Sequence, residues 1–119
     1  CKMNSQEIVK LAAEFRGIQK ILIALGDENR QHLILEMMQM GNCQGVRVGK
    51  ITNKTHLSRP AVSHHLQILK DAGIVSRRKE GTKNCYYFDD QNNSMEALIK
   101  ALTHAKTIMA SLPNRDKND

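Results

Sequence analysis

The stretch LSRPAVSHHLQILKDAGIV at residues 57–75 leaves this chain few ways to fold. Ser58 can accept a hydrogen bond from an early helical N–H through its hydroxyl, and Pro60 falls in the first turn, where no intrahelical donor is lost. A helix is therefore expected to start at Ser58. Val62, Leu66 and Leu69 recur at i, i+4 and i+7, which at about 100° per residue lines one buried stripe, and Gly73 tolerates the left-handed backbone that stops a helix. The other face carries Pro60, Ser63, His64, Gln67 and Asp71, while His65 falls on the flank of the stripe.

Immediately after Gly73 the pattern changes. Residues 74–79 are β-branched and polar, residues 80–83 contain Gly81, and residues 84–88 read NCYYF, so a hairpin is predicted with Arg77, Arg78, Lys79 and Lys83 around its tip. Such a tip can protect a sheet edge from pairing, or it can meet a polyanion. Edge protection accounts for charge, but less well for charge of nearly one sign. Between Val46 and Cys85 lie nine basic residues and two acidic ones, a net of +7 against +6 for the whole chain, so the remainder nets −1. Basic character gathered into one module is the footprint of a nucleic-acid binder. The polar face of the helix has two readings of equal weight on its own, a solvated surface or a rod laid against base edges in a major groove; the adjoining hairpin favours the second.

Flanking segments complete the plan. Residues 6–23 carry Ile8, Leu11, Ala12, Phe15, Ile18 and Leu22 at helical spacing, predicting one helix. Asp27 can cap a second that contains Arg30, Leu33, Ile34, Met37 and Met38 and stops at Gly41-Asn42. Val46-Arg47-Val48 can add a short strand to the hairpin, residues 50–55 make a brief helix anchored by Ile51, and Ser94 can cap a last helix with Met95, Leu98, Ile99, Leu102, Ala105 and Met109 on one stripe. The expected fold is mainly α with a small antiparallel β-hairpin, a winged helix-turn-helix of about five helices. One domain over residues 1–112 is expected, with a disordered tail at 113–119.

Several function classes fall away. No run reaches the roughly 18 apolar residues of a membrane span, and no charged segment followed by an apolar run opens the sequence. Three cysteines without a C-x-x-C argue for a reducing compartment, so the cytoplasm is expected. No nucleophile, base and orienting group form a catalytic unit, so no enzyme and no cofactor are expected. His64 and His65 stand about 100° apart on a helix and cannot share a metal; His65 reads as a half-buried packing residue, His32 and His56 as surface.

Leu25-Gly26-Asp27 with Arg30, then SRPAVSHHLQILKDAGIV, RRKEG and the tyrosine pair, resemble the ArsR/SmtB-type family of bacterial winged-helix repressors over residues 22–88. The resemblance implies a homodimer packed through its first and last helices, with recognition helices in successive major grooves of a pseudo-palindromic double-stranded DNA operator. It assigns DNA contacts to Ser58, Arg59, Ser63 and His64, with Gln67 a further one. The helical wheel agrees for Ser63, His64 and Gln67, and places Arg59 nearer phosphate than base edge. Arg77, Arg78, Lys79 and Lys83 would supply the wing contacts.

Members of that family commonly release DNA on sensing a metal, a metalloid or a thiol-reactive signal. Where metal sensors place a cysteine pair, this chain has Arg47 and Gly49, and on the last helix only His104 has ligand chemistry, with Gln91 and Asn93 upstream. Neither usual metal site is expected. Cys43 and Cys85 are candidate thiol sensors; for Cys85 an inert, inward-facing thiol is the favoured reading, whereas Cys43 is open. The effector is not legible. Two other readings stand beside the repressor: a nonspecific architectural DNA protein, and a winged-helix module for protein partners.

Overall fold

The structure is a computed structural model describing residues 5–40, 45–89, 91 and 94–112. Its elements are α1 (Ser5–Gly17), α2 (Gln19–Leu25), α3 (Glu28–Met40), β1 (Val46–Arg47), α4 (Val48–Asn53), α5 (Arg59–Asp71), β2 (Ser76–Glu80), β3 (Lys83–Tyr87) and α6 (Ser94–Ser111). The described residues thus form six helices rather than about five. The single helix expected over residues 6–23 breaks at Gly17-Ile18, where Ile18 takes φ −115° and ψ 12° and its N–H bonds the Phe15 carbonyl at 3.1 Å. Glycine is a poor helix former, and the break has a packing reward. It turns Ile18, Ile21 and Ala24 into the core, whereas α1 buries no residue.

The core gathers where α2, α3, α4, α5 and the sheet meet, with Leu33, Ile51, Val62, Leu66, Leu69 and Val75 the largest fully buried side chains. Helix α5 begins and ends as its sequence dictates. Ser58 Oγ accepts from the Ala61 N–H at 3.3 Å. At the other end Gly73, at φ +80°, donates to Lys70 O at 2.9 Å, and Ile74 donates to Leu69 O at 2.9 Å. That pair of bonds is a Schellman stop, and it requires a left-handed residue at Gly73.

Three strands form one antiparallel sheet in the order β1-β3-β2. The strand expected at residues 46–48 is real but shorter, because Val48 opens α4 instead. Likewise the wing strand starts at Ser76; Ile74 and Val75 precede it and are buried in the core. Gly45 lets the chain enter β1, since at φ +109° an added Cβ would stand 3.2 Å from Tyr86 O and 3.3 Å from Cys85 Cβ. The Gly41-Asn42 stop of α3, Cys43, Asn93 and the 113–119 tail lie outside the described residues.

Helix α6 returns to pack on α1. Ser94 Oγ donates to Ala72 O at 3.0 Å, tying the start of α6 to the end of α5. Of the stripe expected on α6, Ala105 is buried and Leu98 packs on the core, but Met95, Ile99, Leu102 and Met109 are exposed. His104 stands between two α1 carboxylates: Nδ1 is 2.6 Å from Glu14 Oε1 and Nε2 is 2.9 Å from Glu7 Oε2. Ionised carboxylates can only accept, so the pair of contacts is satisfied when both ring nitrogens donate, that is, by the imidazolium form. The hydrogen bonds it donates to Glu14 and then Glu7 raise its pKa above the ordinary 6.5.

A pH dependence follows from that sign. The stability contributed by this tie is present in full below about 6.5, the unfolded value, and is lost as pH rises through the higher folded value. Thermal midpoints of the wild type and His104→Gln should therefore converge between about pH 6 and pH 9. A wild-type advantage that is constant or grows over that range would contradict the assignment.

Candidate nucleic-acid interface

A buried cation fixes how α5 is presented. Arg30, in the first turn of α3, donates from Nε to Ala24 O at 2.8 Å and from Nη2 to Ile23 O at 3.2 Å, satisfying carbonyls at the end of α2. Its Nη1 lies 3.7 Å from Asp27 Oδ2 and 3.2 Å from Nδ1 of His65, on α5. Arginine can only donate, so Nδ1 accepts and His65 is neutral, with its proton on Nε2. Loss of solvent around the ring, with the Arg30 charge beside it, holds the His65 pKa below the ordinary 6.5. Asp27 accepts the Asn29 N–H at 2.7 Å and the Arg30 N–H at 3.3 Å, the cap expected for this helix. His65 is the half-buried partner foreseen from the wheel; Arg30 as its partner was not foreseen.

On the outer face of α5, Ser58, Arg59, Pro60, Ser63 and His64 are exposed together, from the N-cap through the second turn. Gln67 is less free than its wheel position implies. Its Nε2 donates to Asp71 Oδ1 at 2.9 Å, and its Oε1 lies 3.5 Å from Arg77 Nη1. His56 is exposed and the His32 side chain is 52% exposed, as expected.

The wing departs from its expected layout in one respect. The hairpin closes with Glu80 opposite Lys83, while Arg77 stands opposite Tyr86, set back from the tip beside Gln67. Side chains alternate along a strand, so Arg77 and Lys79 share one face and Arg78 and Glu80 the other. Register puts Arg47, Cys85 and Arg78 in one row across the three strands. Over that row lies Glu80: its Oε2 accepts from Arg78 Nε at 3.2 Å and Nη2 at 3.1 Å, and its Oε1 accepts from Cys85 Sγ at 3.2 Å and lies 3.8 Å from Arg47 Nη2. The Cys85 thiol hydrogen bond, then Arg78, hold the Glu80 carboxyl below its ordinary pKa. Arg78 also stacks over Tyr87, 5.5 Å from the ring centroid. Cys85 itself is buried.

Between this sheet face, the start of α4 and the N-terminal half of α5 is a cleft of about 590 Å³, bordered by Arg47, Lys50, Arg59, Ser63, Arg78 and Lys83, among others. The Arg59 guanidinium lies against α4, with Nη1 3.7 Å from where a Cβ on Gly49 would be. Sequence reading missed Arg47 and Lys50 as neighbours of Arg59 and Arg78. The strand register was the signal that could have found Arg47. Among the described residues no cluster of three or more His, Cys, Asp or Glu side chains is arranged to hold a metal ion, and no helix is long and apolar enough to cross a membrane.

Comparison with known proteins places these features in a family. Residues 29–77 match the family described as bacterial regulatory protein, arsR family. The chain is 39% identical over 90 residues to an uncharacterized HTH-type transcriptional regulator of Methanocaldococcus jannaschii, covering 75% of this chain and 98% of that one. It is 31% identical over 91 residues to a cadmium resistance transcriptional regulatory protein CadC homolog of Staphylococcus aureus, covering 76% and 72%. Among solved structures, an ArsR family transcriptional regulator superposes with TM-score 0.67 at 16% identity over 82% of this chain and 95% of that one. A homodimeric winged helix-turn-helix DNA-binding domain from Mycobacterium bovis superposes with TM-score 0.58 at 20% identity over 87% and 93%. At these identities the two structures speak to the fold.

The Arg30 network carries a stability prediction. Arg30→Met keeps much of the aliphatic bulk but strands the Ala24 carbonyl and the His65 ring, leaving Ile23 O only its 3.3 Å bond from the Gly26 N–H, and should cost about 3 kcal/mol in urea unfolding. A loss below about 0.5 kcal/mol, the range of ordinary surface substitutions, would show that the network does not hold α5.

Proposed function

The chain belongs to the bacterial arsR family of transcriptional regulators, and from that membership we propose that it acts as a homodimeric repressor of a pseudo-palindromic operator, released by a signal still to be identified. The observation that carries this reading is the joint exposure of Ser58, Arg59, Ser63 and His64 on α5 beside a wing rich in basic side chains. Ser63 and His64 offer hydrogen-bonding groups to base edges, Gln67 adds a contact through the part of its amide that Asp71 and Arg77 leave accessible, and Ser58 and Arg59 serve the backbone. Arg78, Lys79 and Lys83 extend the contact along the duplex from the wing, and Arg77 does so from nearer α5.

The dimer reading rests on the faces of the first and last helices. Helix α1 has no fully buried residue within its own chain, although Phe15 packs on the core, and Ile8 and Val9 are exposed on it. On α6, Ile99 is 61% and Met109 68% exposed, an arrangement that a second copy would cover. The Mycobacterium bovis domain described as homodimeric lends this support. One folding unit through residue 112, with the following residues as a tail, fits the same scheme. Cys85, buried and bonded to Glu80, is taken as a packed donor rather than a sensor; Cys43 keeps its candidacy.

Selection of bound sequences from random duplexes, followed by titration of the winner and of a scrambled duplex of equal length, tests the proposal. Half-sites should emerge with centres about 34 to 36 Å apart or a multiple of that. With about 6 to 10 phosphate contacts, affinity should fall on the order of 10³ to 10⁵ fold between roughly 50 and 200 mM salt. Ser63→Ala or His64→Ala should blur base preference, while Lys83→Ala should weaken selected and scrambled DNA alike. Equal affinity for the two duplexes would favour an architectural role, and no duplex binding a protein-interaction module.

A further inference from the structure

The cleft between wing and recognition helix presents five cationic side chains, Arg47, Lys50, Arg59, Arg78 and Lys83, and a single acidic one, Glu80. That carboxylate is not at the rim by accident of sequence. Strand alternation turns it onto the same sheet face as Arg78, where it is anchored by Arg78 on one oxygen and by the Cys85 thiol on the other. Arg47, from the opposite edge of the sheet, approaches it only to 3.8 Å, outside a good hydrogen bond. We propose that the cleft is a seat for a phosphoryl oxyanion, and that in the free protein Glu80 occupies that seat with its own carboxylate and competes with the incoming phosphate.

Three features support the assignment. First, the pairs are exposed: the side chains of Glu80, Arg78 and Arg47 retain 43%, 42% and 52% of their accessible surface. Ion pairs this open are held weakly, so an anion with more oxygens can displace the carboxylate. Second, the cations converge from four separate elements, β1, α4, α5 and the β2-β3 wing, around a volume of about 590 Å³. A merely solvated basic surface has no reason to converge. Third, the Cys85 thiol gives Glu80 a fixed resting position and holds its carboxyl ionised, together with Arg78. The thiol is then a positioning group for the competitor.

The inference deepens the DNA-binding reading, on which it rests for the backbone phosphate; a free phosphorylated compound is the other source of the same chemistry. Glu80→Gln preserves shape and hydrogen-bonding capacity while removing the charge. Binding of a scrambled duplex and of tripolyphosphate, the latter followed calorimetrically, should be measured for the wild type and the variant. Both should tighten about three- to tenfold in the variant if the seat takes a backbone phosphate, and adding Arg47→Gln should cancel the gain. Tightening of tripolyphosphate alone would keep the seat and assign it to a free phosphorylated ligand. Unchanged affinity for both would overturn the proposal. Should Glu80→Gln lower the thermal midpoint, Lys50→Gln in the otherwise native chain decides: tripolyphosphate binding must weaken by a similar factor, and no weakening overturns the proposal. A wild type that binds no duplex would instead remove the operator reading, leaving the tripolyphosphate arm to judge the cleft separately.

Discussion

The arrangement depends on one guanidinium taken out of water. Arg30 is the only buried charged side chain among the described residues, and burial of a charge is tolerated when its donors are satisfied. Here they are spent on the two carbonyls that end α2, on Asp27 at the head of α3 and on the ring of His65 in α5. Three helices are thereby indexed to one planar group. Because the contact to α5 falls at His65, its neighbour His64 is turned outward, and the orientation of the proposed base-reading face follows from a bond made on the inner side. The acceptor role forced on His65 also keeps a second positive charge out of that neighbourhood.

Local features of this plan were legible in the sequence because they are decided by residues close along the chain. The Ser58 cap, the Gly73 stop, the Asp27 cap and the strand alternation of the wing each involve partners within a few positions, and spacing alone exposes them. The short β1 strand was visible for the same reason. What escaped was decided by juxtaposition. Glu7 and Glu14 lie about ninety residues from His104, and no periodicity links them. The break at Gly17-Ile18 escaped because the apolar spacing runs unbroken across it; a single glycine weakens a helix without ending it, and the tertiary demand to bury Ile18 while α1 packs on α6 completes the separation. In the wing the basic residues were found but not their sorting, since placing Arg77 back from the tip requires the register. Cys43 and the tail fall outside the described residues, so their reading stands as it did from sequence.

The resemblance to metal-sensing relatives also gains a physical meaning at its point of failure. Positions that would hold a cysteine pair are Arg47 and Gly49, and neither can ligate a metal. Their roles here follow from charge and size. Arg47 reaches over the sheet toward Glu80, and Gly49 lies beside the Arg59 guanidinium, whose Nη1 is an ordinary contact distance of 3.7 Å from where a Cβ would stand. Soft anionic ligands at the start of α4 would draw a cation into this space, whereas the residues present draw an anion. The charge fixed at this place in the fold is thus positive, where a pair of thiolates would have made it negative.

That inversion bears on how a signal could reach DNA. In a regulator with a metal site beside the recognition helix, bound charge changes the local field directly. Here the local field is set by fixed cations and one displaceable carboxylate, so a change near α5 can come from an anion entering the cleft or from movement of the wing or of the helix. The α1-α6 pair is a place from which such movement could be imposed, since α6 is tied by Ser94 to the C-cap of α5 and by His104 to α1. Shifting α6 at a dimer contact would pull on the Ala72 carbonyl, one residue past the end of α5 and just before the Gly73 stop that leads into the wing. Recognition helix and wing therefore both adjoin the one short segment, Ala72-Gly73, to which α6 is tied, and a displacement of that segment would bear on the spacing between the base-reading face and the basic cleft.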